Sequence, residues 1–294
     1  MNKRGLVLLG RIAFWFRKAG LRPVFTVVRD VVDAFFRAAH YPPLAAAVDG
    51  VRLHGFLRHR SYLEHLARGT YEPASRRFFR ELIPSAHVFV DAGAHIGLYS
   101  VLSGRFGAPG LVIFAFEPDP YNLLAFRWNV RRSRCKDVTV FQAAVSDTAG
   151  SAEFLVSDGT IGSSLVLGRT EIGTTHVKEV ETVALDPLLE GFASKTVLAK
   201  LDIEGAEIRA LKGLADTLRR AERIAVLCEV NPEALRAGGK TPSDLIAALR
   251  DAGLQVFFIS EETGGLMPVK ESCETKGNLL AMRNWMIPKD WILA

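Results

Sequence analysis

Residues 88–100 read VFVDAGAHIGLYS. An apolar run of strand composition ends at Asp91, turns through Gly93 and Gly97, and passes at once into a segment of helical character. Such a turn lets backbone approach a ligand closely and offers the free N–H groups of a helix start. In an open parallel sheet it would lie outside the carboxyl ends of the strands, where ligands bind. A G-x-x-x-G turn alone is weak, so the segments around it must say what it holds.

The next segment, FAFEPDP, puts Glu117 at the end of a second strand, 20 residues after Gly97. An acid there is placed to accept hydrogen bonds from both hydroxyls of a ribose. Nicotinamide and S-adenosylmethionine cofactors both carry that ribose. The dinucleotide fingerprint G-x-G-x-x-G has its second glycine replaced here by His95, whose side chain would crowd a pyrophosphate. Asp91, two residues before the first glycine, suits a cationic amino group. The residues therefore favour S-adenosylmethionine, with a nicotinamide-dependent oxidoreductase as the alternative.

Further along, strands and helices alternate. PYNLLAFRWNVRRS reads as a helix capped by Asp119 with Pro120 in its first turn. VTVFQAAVS and TVLAKLDI follow as strands, then the helix AEIRALKGLADTLRRA, the strand RIAVLCEV, the helix TPSDLIAALRDAG and the strand LQVFFIS. The pattern implies an α/β fold with a mostly parallel, seven-stranded sheet covered on both faces. SAEFLVS and EVETVAL read as two extra antiparallel strands around a Gly/Ser/Thr-rich loop. LQVFFIS and NLLAMRN, joined without a helix, read as a terminal antiparallel hairpin at the sheet edge.

Ahead of the quoted stretch, VDGVRLHGF reads as a short strand or hairpin, and SYLEHLARG and PASRRFFRELI as helices. VFTVVRDVVDAFFRAAH sets Val24, Val28, Val31, Val32, Phe35 and Phe36 on one helical face, with Arg29, Asp30, Asp33 and Arg37 opposite. The expected arrangement is a helical N-terminal extension, residues 1–67, packed on a domain at 68–294 whose core motifs span 88–260. Interfacial membrane attachment or a dimer contact is the alternative for that extension.

Charge sits unevenly in the 294 residues: residues 1–90 carry 15 Lys+Arg against 6 Asp+Glu, and the remainder 22 against 26. The basic excess belongs to the front, which argues against a nucleic-acid-coating protein and for a local anionic contact. With 49% apolar and 23% charged residues the composition is that of a soluble globular chain. Arg11, Arg17 and Lys18 interrupt the leading apolar run, so neither a signal peptide nor a membrane span is expected. Three scattered cysteines, Cys135, Cys228 and Cys273, argue against a disulfide framework or zinc site and fit a reducing cytoplasm. Cys228 reads as a small buried hydrophobe. The expected location is cytoplasmic, with membrane association left open.

VDAGAHIGLYS, AFEPDPYN, AAVSD, the SSL at 163–165, KLDIEGAE and LCEVNP occur in the order seen in the FkbM family of S-adenosylmethionine-dependent methyltransferases. The chain resembles that family from about residue 68 to about residue 260, and KLDIEGAE is close to a family signature. The resemblance implies a Rossmann-like class I methyltransferase fold. It also implies that Asp91, Gly93, Ala94, His95 and Gly97 line the methionine end of the cofactor. Glu117 would hold the ribose, Pro118 and Asp119 would shape its turn, and Ser146 and Asp147 would lie near the adenine. His95 departs from the family's usual Asn. The acceptor class implied is a hydroxyl on a sugar, glycolipid or polyketide-like molecule, giving O-methylation.

A hydroxyl is a poor nucleophile until a base takes its proton. The candidates are Asp202 and Glu204 at the end of the fourth strand and Glu229 at the end of the fifth. Lys200 shares a strand face with Asp202. Glu207 reads as a solvated acid of the first helical turn, and His176 as an exposed loop residue. His54, His59 and His65 show no metal-ligand spacing. No metal site is assigned; Mg²⁺ held by Asp202, Glu204 and Glu229 stays open. The loop DGTIGSSLVLGRTEIGTTHVKE is assigned to the acceptor, which is expected to be a small molecule, glycan or glycolipid. A cofactor-fold protein that binds without catalysis is a further alternative, and oligomeric state is left open.

Overall fold

The computed structural model describes residues 11–157, 165, 175–269 and 274–293, with 13 and 17 excepted. Helix α1 (Arg22–Ala38) leads into the hairpin β1 (Leu44–Val48) and β2 (Val51–Gly55), then α2 (Arg60–Arg68) and α3 (Pro73–Leu82). The quoted stretch forms β3 (Val88–Ala92) and α4 (Leu98–Phe106). The chain continues through β4 (Val112–Phe116), α5 (Pro120–Arg132), β5 (Val138–Phe141), β6 (Ala143–Val145), β7 (Gly150–Ser157) and β8 (Thr175–Val183). It then forms β9 (Thr196–Leu201), α6 (Glu207–Gly213), α7 (Ala215–Arg220), β10 (Arg223–Val230), α8 (Pro232–Ala237) and α9 (Pro242–Asp251). Strands β11 (Gln255–Ile259), β12 (Leu266–Pro268) and β13 (Gly277–Arg283) complete the order.

The main sheet runs β12-β11-β13-β10-β9-β3-β4-β5. The strands from β10 to β5 pair in parallel, whereas β13 is antiparallel to both β10 and β11. Side chains alternate across it with period two. Phe89 enters one core with Leu198, Ala225 and Leu280, under α2, α3 and α4. Val88, Val90 and Ala92 enter the other with Val197, Val226 and Leu279, under α6 and α9. Helix α9 shows why these segments fold as read. Its cap is Thr241, whose hydroxyl accepts from the Asp244 N–H while the Asp244 carboxylate accepts in return from the Thr241 N–H. Such a cap is worth about 1 kcal/mol. Leu245, Ile246 and Leu249 are all buried, each contributing roughly 1.5–3 kcal/mol.

Five expectations need correction. The sheet has eight strands rather than seven, because β12 adds a short edge. The terminal pair is antiparallel as expected, but β13 lies between β10 and β11 rather than at the sheet edge. Its LLAM run explains why, since Leu279 and Ala281 face one core and Leu280 and Met282 the other, and a strand buried on both faces belongs inside a sheet. VTVFQAAVS is two strands: β5 ends the main sheet and β6 joins β8 and β7 in a second, three-stranded sheet. The helix expected over AEIRALKGLADTLRRA breaks at Leu214 into α6 and α7.

The fifth correction concerns the front of the chain. Leu44, Val48, Leu53, Phe56, Leu63 and Leu66 share one core with Phe89 and Leu198, so a boundary between residues 67 and 68 would cut a continuous interior. Helix α1 does pack on the domain, but along the seam between its two expected faces, through Phe36 on one side and Asp33 on the other. Asp33 is buried, accepting from the N–H groups of Leu57 (2.6 Å) and Arg58 (2.9 Å). The valine face points outward.

Candidate active site

The carboxyl ends of β3, β4, β9 and β10 are neighbours in the sheet. Over the first three opens a cleft enclosing about 880 Å³ of non-atom space, part of it open to solvent. Its lining includes Asp91, Gly93, Ala94, His95, Glu117, Pro118, Asp202 and Glu204 among the expected residues. Gly97, Asp119, Ser146, Asp147 and Glu229 are not part of that lining.

The β3–β4 end is built by backbone. Gly93 has φ +77°, and a Cβ there would stand 1.9 Å from the Asp202 carbonyl oxygen, so the β3 turn passes the β9 turn at a distance no side chain would tolerate. His95 also sits in the left-handed region, at φ 52°, a conformation in which Asn and His are enriched. Its N–H donates to Glu117 Oε2 (2.8 Å), and the Asp119 N–H donates to Glu117 Oε1 (2.9 Å). Oε2 thus ties the β3 turn to the β4 turn, Oε1 braces the β4 turn itself, and both keep lone-pair capacity for a ligand. Burial pushes the Glu117 pKa up to about 7, against those two bonds. Asp91 is buried and accepts from both the N–H and the hydroxyl of Ser100 (3.0 and 2.6 Å), which pins the start of α4 to the end of β3. Burial raises its pKa, with Ser100 and Lys200 opposing.

The expected residues outside the lining have structural work. Gly97 is the N-cap of α4, and a Cβ on it would press on the Phe126 ring at 2.9 Å. Asp119 caps α5 through the Tyr121 N–H (2.9 Å) and lies 3.5 Å from the Arg58 guanidinium. The Ser146 hydroxyl donates to Asp147 (2.9 Å), which pairs with Arg209 (3.2 Å). Beside them, Ala143, Ala144 and Val145 of β6 supply an apolar wall, with Phe116 and Phe154.

The β9–β10 end is built by charge. Lys200 Nζ lies 2.6 Å from Asp202 Oδ2. Burial alone would depress the ammonium, but Asp202 and Glu72 more than offset it, and its pKa lies above the ordinary lysine value. Burial would raise Asp202; Lys200 outweighs this and holds it below the usual carboxylate range. Glu204, at φ 53°, accepts from Asn231 Nδ2 (2.9 Å). Glu229 lies 3.4 Å from Lys276, and burial followed by the Asp202 and Glu204 charges drives its pKa well up. One oxygen each of Asp202, Glu204 and Glu229 falls within 4.8 Å of the others. That donor set suits a hard divalent cation such as Mg²⁺, while Lys200 and Lys276 already bring two positive charges to it. Glu207 is buried rather than solvated, accepting from the N–H groups of Gly205 and Ile203 and so fixing the DIEGAE turn.

Sequence reading missed an aromatic rim. Tyr62, Tyr71 and Tyr99 line the cleft around Lys200, whose Nζ sits 4.9 Å from the Tyr99 ring centre. Glu72 accepts from the Tyr99 hydroxyl (2.7 Å) and from Asn278 (3.1 Å). Burial and then the Glu72 charge raise all three phenols, keeping them neutral. Tyr62 stands edge-on to His95, ring centres 4.7 Å apart. Burial and the Arg58 charge lower His95 to about 4, so its imidazole is neutral, and its buried Nε2 finds no hydrogen-bond partner among the described residues. Tyr99 was in the quoted stretch, and Glu72 lies just inside the start of the family resemblance; Tyr62 carried no signal beyond an amphipathic helix. Of the loop assigned to the acceptor, Leu165 is described and lines the cleft, whereas residues 175–179 are not loop but the start of strand β8. Ser163, Ser164 and the His176 side chain lie outside the described residues, as does Cys273.

A profile described as "Methyltransferase FkbM domain" matches residues 91–256, more than half of the chain. The chain is 31% identical over 164 residues to the 31-O-demethyl-FK506 methyltransferase FkbM of Streptomyces tacrolimicus, covering 46% of this chain and 62% of that protein. It is 26% identical over 168 residues to the hexuronic acid methyltransferase AglP of Haloferax volcanii, covering 57% and 63%. The matches thus span under two thirds of the length of these curated relatives. A SAM-dependent methyltransferase structure from Aquifex aeolicus aligns at 11% identity and a TM-score of 0.40, over 71% of this chain and 88% of that one. By the match over residues 91–256, more than half of its length, the chain belongs to the FkbM methyltransferase family.

Proposed function

We propose that this protein methylates a hydroxyl of a sugar, glycolipid or polyketide-like acceptor, using S-adenosylmethionine. The observation that carries the cofactor reading is Glu117, a buried carboxylate whose two oxygens each hold one turn N–H at the edge of the cleft. That geometry supports two hydrogen bonds from ribose hydroxyls. The Ala143–Val145 wall supports a flat purine, and the Asp91 carboxylate favours a cationic group at the β3 turn. Bound there, S-adenosylmethionine would supply an electrophilic methyl group on a positively charged sulfur.

The protein's part is to hold the acceptor oxygen in line and receive its proton. Asp202 borders the cleft and is kept ionised by Lys200, so it is in the form that accepts a hydrogen bond from the incoming hydroxyl. A low-pKa carboxylate suffices, because the oxygen becomes strongly acidic as its new bond to carbon forms. Glu204 borders the same cleft, and Glu229 lies within reach of both. The neutral rim of Tyr62, Tyr71 and Tyr99 offers apolar faces, with the Tyr99 hydroxyl already donating to Glu72, to an acceptor carrying several oxygens. The hexuronic acid and 31-O-demethyl-FK506 named as acceptors of the two curated relatives support the same class.

Calorimetry with S-adenosylhomocysteine and with NAD tests the cofactor. Binding of the first alone is expected; binding of NAD alone overturns the reading. Incubation with an acceptor panel of monosaccharides, uronic acids and macrolides should then yield a product 14 daltons heavier. Cofactor binding without any such product would instead favour a binding protein.

A further inference from the structure

Helix α1 is amphipathic, and apart from Phe36, which meets the core, it turns most of its apolar face away from the domain it sits on. Its inner side carries Asp33, bonded to the Leu57 and Arg58 N–H groups, and Arg37, stacked 4.4 Å from the Tyr121 ring centre. Its outer side carries Val24, Val27, Val28, Val31 and Phe35, from 50% exposed at Val24 to 71% at Phe35. These five recur at helical spacing and form one stripe about 16 Å long. Ahead of them Phe14 and Trp15 are 58% and 60% exposed. Scattered exposed apolar residues need no account, whereas a contiguous stripe on one helix marks a contact surface.

Charge names the contact. Residues 1–40 carry eight Lys+Arg against two Asp+Glu, and residues 41–294 carry 29 against 30. The whole positive excess of the protein therefore lies in and before this helix. At its far end, Tyr41 meets Trp128 edge-on at 5.4 Å, and the Arg132 guanidinium lies 3.5 Å over the Trp128 ring. Aromatic rings joined to basic side chains suit the headgroup level of a bilayer. A second copy of the chain would bring a like-charged segment against this one. Among the described residues no helix is long and apolar enough to cross a membrane.

We propose that the outer face of α1 docks in the plane of an anionic phospholipid surface, its valines and Phe35 entering the acyl boundary and the flanking lysines and arginines meeting the headgroups. The contact is linked to the cleft. The Asp33 carboxylate holds the turn that carries Arg58 and His59; Arg58 pairs with Asp119, and His59 Nε2 lies 3.0 Å from Asn122, which lines the cleft. A lipid-borne acceptor would be met on the side of the domain where that turn sits. The docking itself stands independently of the methyl-transfer reading.

Vesicle sedimentation of the full chain tests it, with phosphatidylcholine alone and with equal parts phosphatidylcholine and phosphatidylglycerol. The protein should pellet with the mixed vesicles, less so as salt is raised, and remain in solution with the neutral ones. Joint Val28→Glu, Val31→Glu and Phe35→Glu should lower partitioning by at least about tenfold. All three side chains are exposed, so an unchanged circular dichroism spectrum is expected. Failure of the wild type to pellet with mixed vesicles overturns the proposal. So does equal pelleting with neutral ones, or a dimer in ultracentrifugation that the triple variant dissolves.

Discussion

The two ends of the cleft are held by different physics. At the β3–β4 end, backbone N–H groups converge on Glu117, and Gly93 lets one turn press on the next. At the β9–β10 end, Lys200, Asp202, Glu204, Glu229 and Lys276 balance one another's charge. The first end is fixed by geometry and admits one shape. The second is fixed by electrostatics, where changing one group changes its neighbours' protonation. A constant ligand fits the first and chemistry fits the second.

The sharpest way to break the contrast is Asp202→Asn. It should lower kcat by about 10²–10⁴-fold, while S-adenosylhomocysteine affinity by calorimetry stays close to wild type. A comparable loss of affinity would mean the two ends are not separable. Gly93→Ala should cost about 3 kcal/mol or more in urea unfolding, because it adds left-handed strain to an overlap with the Asp202 carbonyl; wild-type stability would show that the turns are not packed as described. Glu117→Ala should weaken S-adenosylhomocysteine by about 1–3 kcal/mol, and unchanged affinity would remove the ribose assignment.

Proton linkage gives a gentler test. The Glu117 pKa is raised from 4.5 to about 7 by burial, so its contribution to stability is present below pH 4.5 and is lost as pH rises through 7. The ionised form is the better acceptor for ribose hydroxyls. Cofactor affinity should therefore tighten between pH 6 and 8 while the ligand-free protein becomes slightly less stable, and Glu117→Gln should flatten both trends. The smallest effect is expected from chelation. With Lys200 and Lys276 compensating the acidic cluster, EDTA should leave turnover unchanged; a requirement for Mg²⁺ would put a cation among Asp202, Glu204 and Glu229.

Legibility in the sequence follows the same division. The β3 turn, Glu117 and the alternation of strands and helices are local patterns, written within a few residues of one another, and they were readable. Tyr62 reaches the cleft from α2 only because Leu63 and Leu66 bury against the same core as Phe89, a tertiary fact with no local mark. Glu72 belongs to none of the motifs read from the sequence, and its role depends on Tyr99 and on Asn278, more than two hundred residues away. Helix α1 misled for a different reason. Its apolar spacing is correct, but periodicity reports that a face is apolar and not which way it points. The buried cap that Asp33 makes on the Leu57 turn decides the orientation. For β13 the signal was present, since LLAM leaves no polar side to turn toward water.

The seat of β13 between β10 and β11 has a consequence for biogenesis. As the chain is synthesised, β10 and β11 exist before the strand that joins them, so a gap one strand wide persists until residues 277–283 emerge. During that interval Ile224–Val230 presents an unsatisfied row of amides and carbonyls, a template for any extended segment nearby. Chaperone dependence of the nascent protein should therefore end with the arrival of β13, rather than with completion of the nucleotide-side strands.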